Sequence, residues 1–362
     1  MLNPINILEY EQLASKNLSQ MAWDYYVSGA QDEITLNDNR AAFNRFKLLP
    51  KVLLDVSQRD LKTTILGQSL QLPILIAPMA FQCLANAEGE LATAKVAAEF
   101  GIGMVLSTLA TQSLEKVAAV SQNNPLWFQL YVHRDRGLTR ALVERAYAAG
   151  FTALCLTVDA PLLGKRERDA RNEFVLPQGM ELANLVSLKD IEIPHAYRES
   201  GLFKYFAEQL NPALTWKDLE WLRSLTPLPL VIKGILRGDD AIKAVEFGIK
   251  AIIVSNHGGR QLDGSIATID ALSEIVEAVN HRVEILVDGG IRRGTDILKA
   301  LALGAKAVLI GRPILWGLAV AGESGVRQVI DIYKDELDLA MALSGCASLS
   351  DIDSSLVRKN YE

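Results

Sequence analysis

The chain has 362 residues, 49% hydrophobic and 22% charged, with a net charge of −6. That is an ordinary soluble globular composition, and the length suits one large α/β barrel with an extension or two smaller domains. The acidic balance gives no basic field for nucleic acid. The longest uncharged stretch, residues 63–87, is broken by Pro73 and Pro78 and makes a poor membrane span.

Met1-Leu2-Asn3-Pro4 shows neither the basic nor the apolar region of a signal peptide, and the end, Arg358-Lys359-Asn360-Tyr361-Glu362, carries no peroxisomal or ER address. The three cysteines, Cys83, Cys155 and Cys346, are widely spaced and form no metal-binding pattern. A reducing cytoplasm is therefore expected.

Residues 1–72 read as an N-terminal extension. Asn6–Ser15 and Ser19–Val27 show short helical patterns, and Thr63–Leu72 alternates like a hairpin around Gly67, suited to plugging one end of a barrel. From residue 73 the rhythm is strand, loop, helix. Apolar strands are expected at Pro73–Ala77, Gly103–Leu106, Leu126–Leu130, Ala153–Val158, Leu230–Lys233, Ala251–Val254, Glu284–Val287 and Ala307–Ile310. Helical patterns at Glu88–Phe100, Leu138–Ala149, Asp239–Phe247 and Thr295–Leu303 each stop at or beside a glycine.

Eight such units predict a (β/α)8 TIM barrel of the α/β class over residues 73–345, within one domain spanning 1–362. A doubly wound sheet is the alternative, but no GxGxxG turn follows the first strand. Residues 177–211 interrupt the rhythm after strand 4 and are expected to form a lid. Residues 346–362 remain as a tail.

Barrel active sites form at the carboxyl ends of the strands. Those positions carry Pro78-Met79-Ala80, Ser107 with Leu109, Gln129 with Tyr131, Thr157 with Asp159 and Arg166, Lys233, Ser255 with His257 and Arg260, Asp288-Gly289-Gly290 with Arg292, and Gly311-Arg312. The last two loops suit phosphate: glycines let amides approach an anion, and two arginines add donors. Ser107, Gln129, Thr157 and Ser255 can read the edge of a polar planar ring, with Lys233 placing positive charge beside it. Arg166 and Arg260 can clamp a carboxylate, Tyr25 and Tyr131 can donate phenolic hydrogen bonds, and Asp159 can orient His257 as a base.

The motifs Asp24-Tyr25-Tyr26-Val27-Ser28-Gly29-Ala30, Gln129-Leu130-Tyr131-Val132, Leu156-Thr157-Val158-Asp159, Ser255-Asn256-His257-Gly258-Gly259-Arg260, Asp288-Gly289-Gly290-Ile291-Arg292-Arg293-Gly294 and Gly311-Arg312-Pro313 span nearly the whole chain. Together they resemble the FMN-dependent L-2-hydroxy-acid oxidases, which include glycolate and L-lactate oxidases. The resemblance implies FMN contacts at Pro78, Met79, Ala80, Ser107, Gln129, Thr157, Lys233, Ser255, Asp288, Gly289, Arg292, Gly311 and Arg312, to which the strand-end reading adds Gly290. It implies substrate or catalytic roles for Tyr25, Tyr131, Asp159, Arg166, His257 and Arg260, with Lys233 beside the flavin. It also implies a homo-oligomer, tetramer or octamer.

Two positions depart from the glycolate-oxidase pattern. Leu109 stands where those enzymes carry tryptophan, and Met79 where they carry threonine. The space and apolar surface so gained favour a substrate methyl by ~1 kcal/mol. The expected activity is therefore oxidation of L-lactate to pyruvate with O2 reduced to H2O2; glycolate or a broad range of L-2-hydroxy acids is the alternative substrate. Whether C2 loses a proton or a hydride stays open. From a different class, a flavin-free lyase or isomerase using Lys233 as a Schiff base also stays open, as does a non-catalytic barrel scaffold.

Overall fold

A computed structural model describes residues 4–122, 124–186 and 208–360. Eight parallel strands close into a barrel: β1 (Ile74–Ile76), β2 (Gly103–Leu106), β3 (Leu126–Leu130), β4 (Ala153–Thr157), β5 (Leu230–Ile235), β6 (Ala251–Val254), β7 (Glu284–Val287) and β8 (Ala307–Ile310). Each pairs with the next, and β8 closes on β1. Nearly every strand residue is buried, as expected for strands covered on both faces.

The expected strands are all present; five keep their expected bounds, β1 is one residue shorter at each end and β4 one residue shorter at its carboxyl end. The largest change is at β5, which runs on to Ile235. Its ladder with β6 is irregular between Lys233 and Ile235. Gly234 sits there at φ +115°, and a β-carbon on it would meet Asp159 Cβ at 2.6 Å. The irregularity thus leaves room for a candidate catalytic carboxylate.

The N-terminal helices are α1 (Ile7–Asn17), α2 (Gln20–Val27) and α3 (Ile34–Ala41). Asn6 and Ser19 accept from the first-turn amides of α1 and α2, as good N-caps do. The sequence pattern does not anticipate α3. The hairpin Thr63–Ile65/Gln68–Leu70 is present, and it plugs the amino end of the barrel. Its Ile65 and Leu70 are buried against the barrel interior, in a cluster with Leu75, Val105, Trp127 and Leu286. Cys155 lies in the same cluster as a small apolar residue.

The C-terminal segment is also more than a tail. Val357–Lys359 pairs antiparallel with Phe46–Leu48 and ties the two ends of the chain together. The lid expectation over 177–211 falls largely on residues 187–207, outside the described residues. Of its described part, Leu182 and Leu185 are buried and Leu210 lines the central cavity.

The N-terminal segment packs directly on the loops after β6 and β7. Gly290 has φ +79°, and a β-carbon there would overlap the Asn39 carbonyl. Gly150 has a similar φ of +87°, but a β-carbon there would meet nothing within 4 Å. Gly290→Ala should therefore destabilise by roughly 2–4 kcal/mol, against about 1 kcal/mol for Gly150→Ala, which carries backbone strain alone. Chemical denaturation of both variants checks this; equal losses would mean the Asn39 contact yields freely.

Candidate active site

One cavity opens at the carboxyl ends of the strands. It encloses about 1310 Å³ including its open mouth, enough for a ligand of nucleotide size plus a small acid, since ligand clefts run ~300–1,000 Å³. The expected residues that line it include Tyr25, Pro78, Met79, Ala80, Ser107, Leu109, Gln129, Tyr131, Thr157, Arg166, Lys233, His257, Arg260, Asp288, Gly289, Gly290, Arg292, Gly311 and Arg312. Asp159 and Ser255 stand behind this lining and contact it through His257 and Lys233.

The centre is a chain of opposed charges. Lys233 Nζ lies 3.2 Å from Asp288 Oδ2 and donates to Ser255 Oγ at 2.9 Å. Burial works against its charge, but Asp288 and Asp159 outweigh burial and hold the pKa above the ordinary lysine value. A Schiff-base nucleophile needs a neutral amine, so this environment disfavours the lyase reading.

His257 follows β6 at φ +59°, a left-handed backbone that is costly for a histidine and typical of strained functional positions. Its Nδ1 lies 2.8 Å from Asp159 Oδ1, and its amide donates to Ser255 Oγ at 3.1 Å. Burial lowers the imidazole pKa; Asp159 opposes that and Lys233 adds to it, with a net fall. Burial raises the Asp159 pKa, but His257 and Lys233 more than reverse this, so the carboxylate stays ionised. An ionised Asp159 fixes Nδ1 as the protonated nitrogen and leaves Nε2 as a base.

Arg166 and Arg260 both line the cavity. Arg260 donates to the Tyr25 and Ser28 carbonyls at 2.7 and 2.9 Å and lies 5.0 Å from the centre of the Tyr25 ring. Burial and then the neighbouring Arg166 pull the Arg260 pKa down to about 10. Two buried like charges of this kind favour an incoming carboxylate. Burial raises the pKa of Tyr25 and of Tyr131, so both phenols remain protonated donors.

Around the opposite wall, the Gln129 amide oxygen accepts from the Thr108 amide at 3.1 Å and from Ser107 Oγ at 3.4 Å, while its nitrogen donates to Thr157 Oγ1 at 3.0 Å. Buried polar atoms also remain without partners among the described residues: Asp288 Oδ1, Arg292 Nε, Arg166 Nε and Asp159 Oδ2. Beside them, Gly289 and Gly290 at positive φ and Gly311 leave bare backbone at the two phosphate-suited loops. Orphaned donors, a neutral hydrogen-bonding edge and a buried cation fit a flavin ring and its phosphate.

Arg312 is placed differently from the simple expectation. It lines the cavity, but its guanidinium donates to the carbonyls of Tyr26, Gly258 and Ser28 at 2.8–3.1 Å. It braces the N-terminal segment against the β6 loop as well as facing the phosphate-suited region. Arg292 Nε has no partner among the described residues, and the guanidinium lies 4.8 Å from the Trp316 ring centre.

Sequence reasoning misses Phe174, which stacks on Tyr25 at 4.4 Å, and Asp169, whose carboxylate lies 3.9 Å from Arg166. It also misses Asn39, which exchanges side-chain hydrogen bonds of 2.8 Å with Asn256. Phe174 and Asn39 come from segments brought together only by the closed fold, whereas Asp169 lies three residues after Arg166, the N-cap of the same short helix, a local i,i+3 spacing that could have found it.

Comparison with known proteins places this site in context. The family model for FMN-dependent dehydrogenases matches residues 14–359. The chain is 70% identical to an L-lactate oxidase of a Nostoc species over 98% of both chains. It is 51% identical to human 2-hydroxyacid oxidase 1, over 98% of this chain and 97% of that one. A crystal structure of mandelate oxidase with (S)-4-hydroxymandelic acid superimposes with a TM-score of 0.91 at 42% identity, over 98% of each chain. The closed barrel and its charged mouth thus belong to a 2-hydroxy-acid oxidase with FMN as cofactor, and the chain is a member of the FMN-dependent dehydrogenase family.

Proposed function

We propose that this enzyme oxidises L-lactate to pyruvate and passes the electrons to O2, giving H2O2. One observation carries the substrate assignment: Leu109 and Met79 line the cavity that also holds Arg166, Arg260 and His257. They give apolar surface where a substrate methyl has to go. The 70% identity to an L-lactate oxidase supports the same reading.

FMN bound along the neutral edge and the glycine loops supplies the two-electron acceptor. Arg260 and Arg166 hold the substrate carboxylate, and Tyr25 and Tyr131 donate to its oxygens. His257 Nε2 accepts the proton released as the 2-hydroxy acid becomes a keto acid. Asp159 stabilises the imidazolium so formed, and Lys233 supplies fixed positive charge beside the acceptor. The N-terminal segment belongs to the same functional unit, because Tyr25 and the Asn39–Asn256 pair join it to the site.

We place the protein in the cytoplasm as a homo-oligomer. All three cysteines are free thiols, which suits a reducing compartment. Among the described residues no helix is long and apolar enough to cross a membrane. Leu49, Val52, Leu53, Leu54, Leu339 and Leu343 are exposed, and apolar surface of this kind favours self-association.

Two outcomes follow. The lowered His257 pKa means the base is already neutral below the ordinary histidine value of about 6.5. The kcat/KM for L-lactate should rise with pH through an apparent pKa under 6.5 and then level off. His257→Gln should retain FMN, lose this acid limb and fall by about 10²–10⁴-fold. An acid limb that persists in the variant would remove His257 from the proton transfer.

The double change Leu109→Trp, Met79→Thr should shift the ratio of kcat/KM values from L-lactate towards glycolate by ~10-fold, because only lactate has a methyl to clash. The ratio is read at one oxygen concentration in wild type and variant. Equal losses for both substrates would contradict the lactate assignment.

A further inference from the structure

We propose that Glu90 is a positioning residue for substrate selectivity: it braces the two loops that carry Met79 and Leu109 and so sets the width of the substrate-side wall. Glu90 touches neither the cavity nor any residue assigned above to chemistry. It opens the helix α4 (Glu90–Phe100) and is completely buried. A buried carboxylate is rare unless its oxygens are satisfied.

All four of its partners are donors on the two loops. Oε1 accepts from the amides of Gln82 at 3.1 Å and Thr111 at 2.9 Å. Oε2 accepts from Thr111 Oγ1 at 2.8 Å and the Gln112 amide at 3.2 Å. Gln82 belongs to the loop after β1, and Thr111 and Gln112 to the loop after β2. One side chain therefore clamps the two loops together.

The bracing continues towards the substrate. The Phe81 amide donates to the Leu109 carbonyl at 3.1 Å, and the Cys83 amide donates to Thr111 Oγ1 at 3.1 Å. Phe81 holds a left-handed backbone at φ +57°, its carbonyl accepts from Tyr26 Oη at 2.6 Å, and its ring lies 5.3 Å from Tyr25. Gly89, just before Glu90, has φ +50°, and a β-carbon there would lie 2.6 Å from Cys83 Sγ, so the loop is seated closely on the helix start. Met79 and Leu109 extend from these two loops into the cavity.

The inference rests on Met79 and Leu109 forming the wall beside the substrate methyl. Its test is the selectivity ratio in Glu90→Gln. The amide turns one acceptor into a donor facing donors, so one loop loses its anchor. The kcat/KM ratio of L-lactate to glycolate should fall roughly fivefold, with most of the loss on lactate. FMN content and the dissociation constant for oxalate, which has no side chain to meet the wall, should stay at wild-type values. Thr111→Val removes one of the four bonds to Glu90, and with it the acceptor of the Cys83 amide, while keeping the side-chain shape and the other three bonds to Glu90; it should move the ratio in the same direction by a smaller factor. It decides the question if Glu90→Gln fails to hold FMN. An unchanged ratio in a flavin-loaded variant, where the Leu109→Trp, Met79→Thr change does shift it, overturns the brace and leaves the wall. If neither shifts the ratio, both fail together.

Discussion

The site is organised around one buried cation. Lys233 sits two residues before the end of β5 beside Asp288 and Asp159, and its charge holds because both carboxylates outweigh burial. A lone ammonium in that place would be neutralised by burial. With the pair of acids present, the lysine stays charged and Asp159 stays ionised, while burial and then the lysine hold the His257 pKa down against the pull of Asp159. The three protonation states are therefore set together. The Gly234 irregularity in β5 is the backbone condition for this arrangement, since a side chain there would displace Asp159.

The rest of the fold holds that cluster in register with the substrate clamp. Arg260 and Arg312 each bond to carbonyls of the last turn of α2 and of Ser28 just after it, so the N-terminal extension and the β6 loop are fixed to one another. The Asn39–Asn256 pair repeats the connection from α3. The extension therefore completes the mouth of the barrel, while its hairpin closes the other end.

Much of this was legible in the sequence because parallel barrel strands are short, mostly apolar runs, and because the chemistry lies at or just past the carboxyl end of each one. The contact between His257 and Asp159 follows from their positions after β6 and β4. Other features had no local signature. Glu90 and Thr111 are 21 residues apart and look like an ordinary helix start and an ordinary loop. Phe174 reads as an isolated aromatic until the loop after β4 folds it onto Tyr25. The Tyr26 and Ser28 carbonyls that occupy Arg312 come from the far end of the chain, so its bracing role could not be told from its phosphate-suited position. The strand Val357–Lys359 was missed because its alternation is too short to distinguish from a tail.

The central claim is that an ionised Asp159 holds the His257 Nδ1 proton, so that Nε2 is the base, and stabilises the imidazolium once Nε2 is protonated. The direct test is the anaerobic rate of flavin reduction by saturating L-lactate in Asp159→Asn, compared with wild type at the same pH. The expected result is a fall of about 10²–10⁴-fold with FMN and oxalate still bound normally, because the amide cannot stabilise the imidazolium. Reduction at close to the wild-type rate would contradict the account.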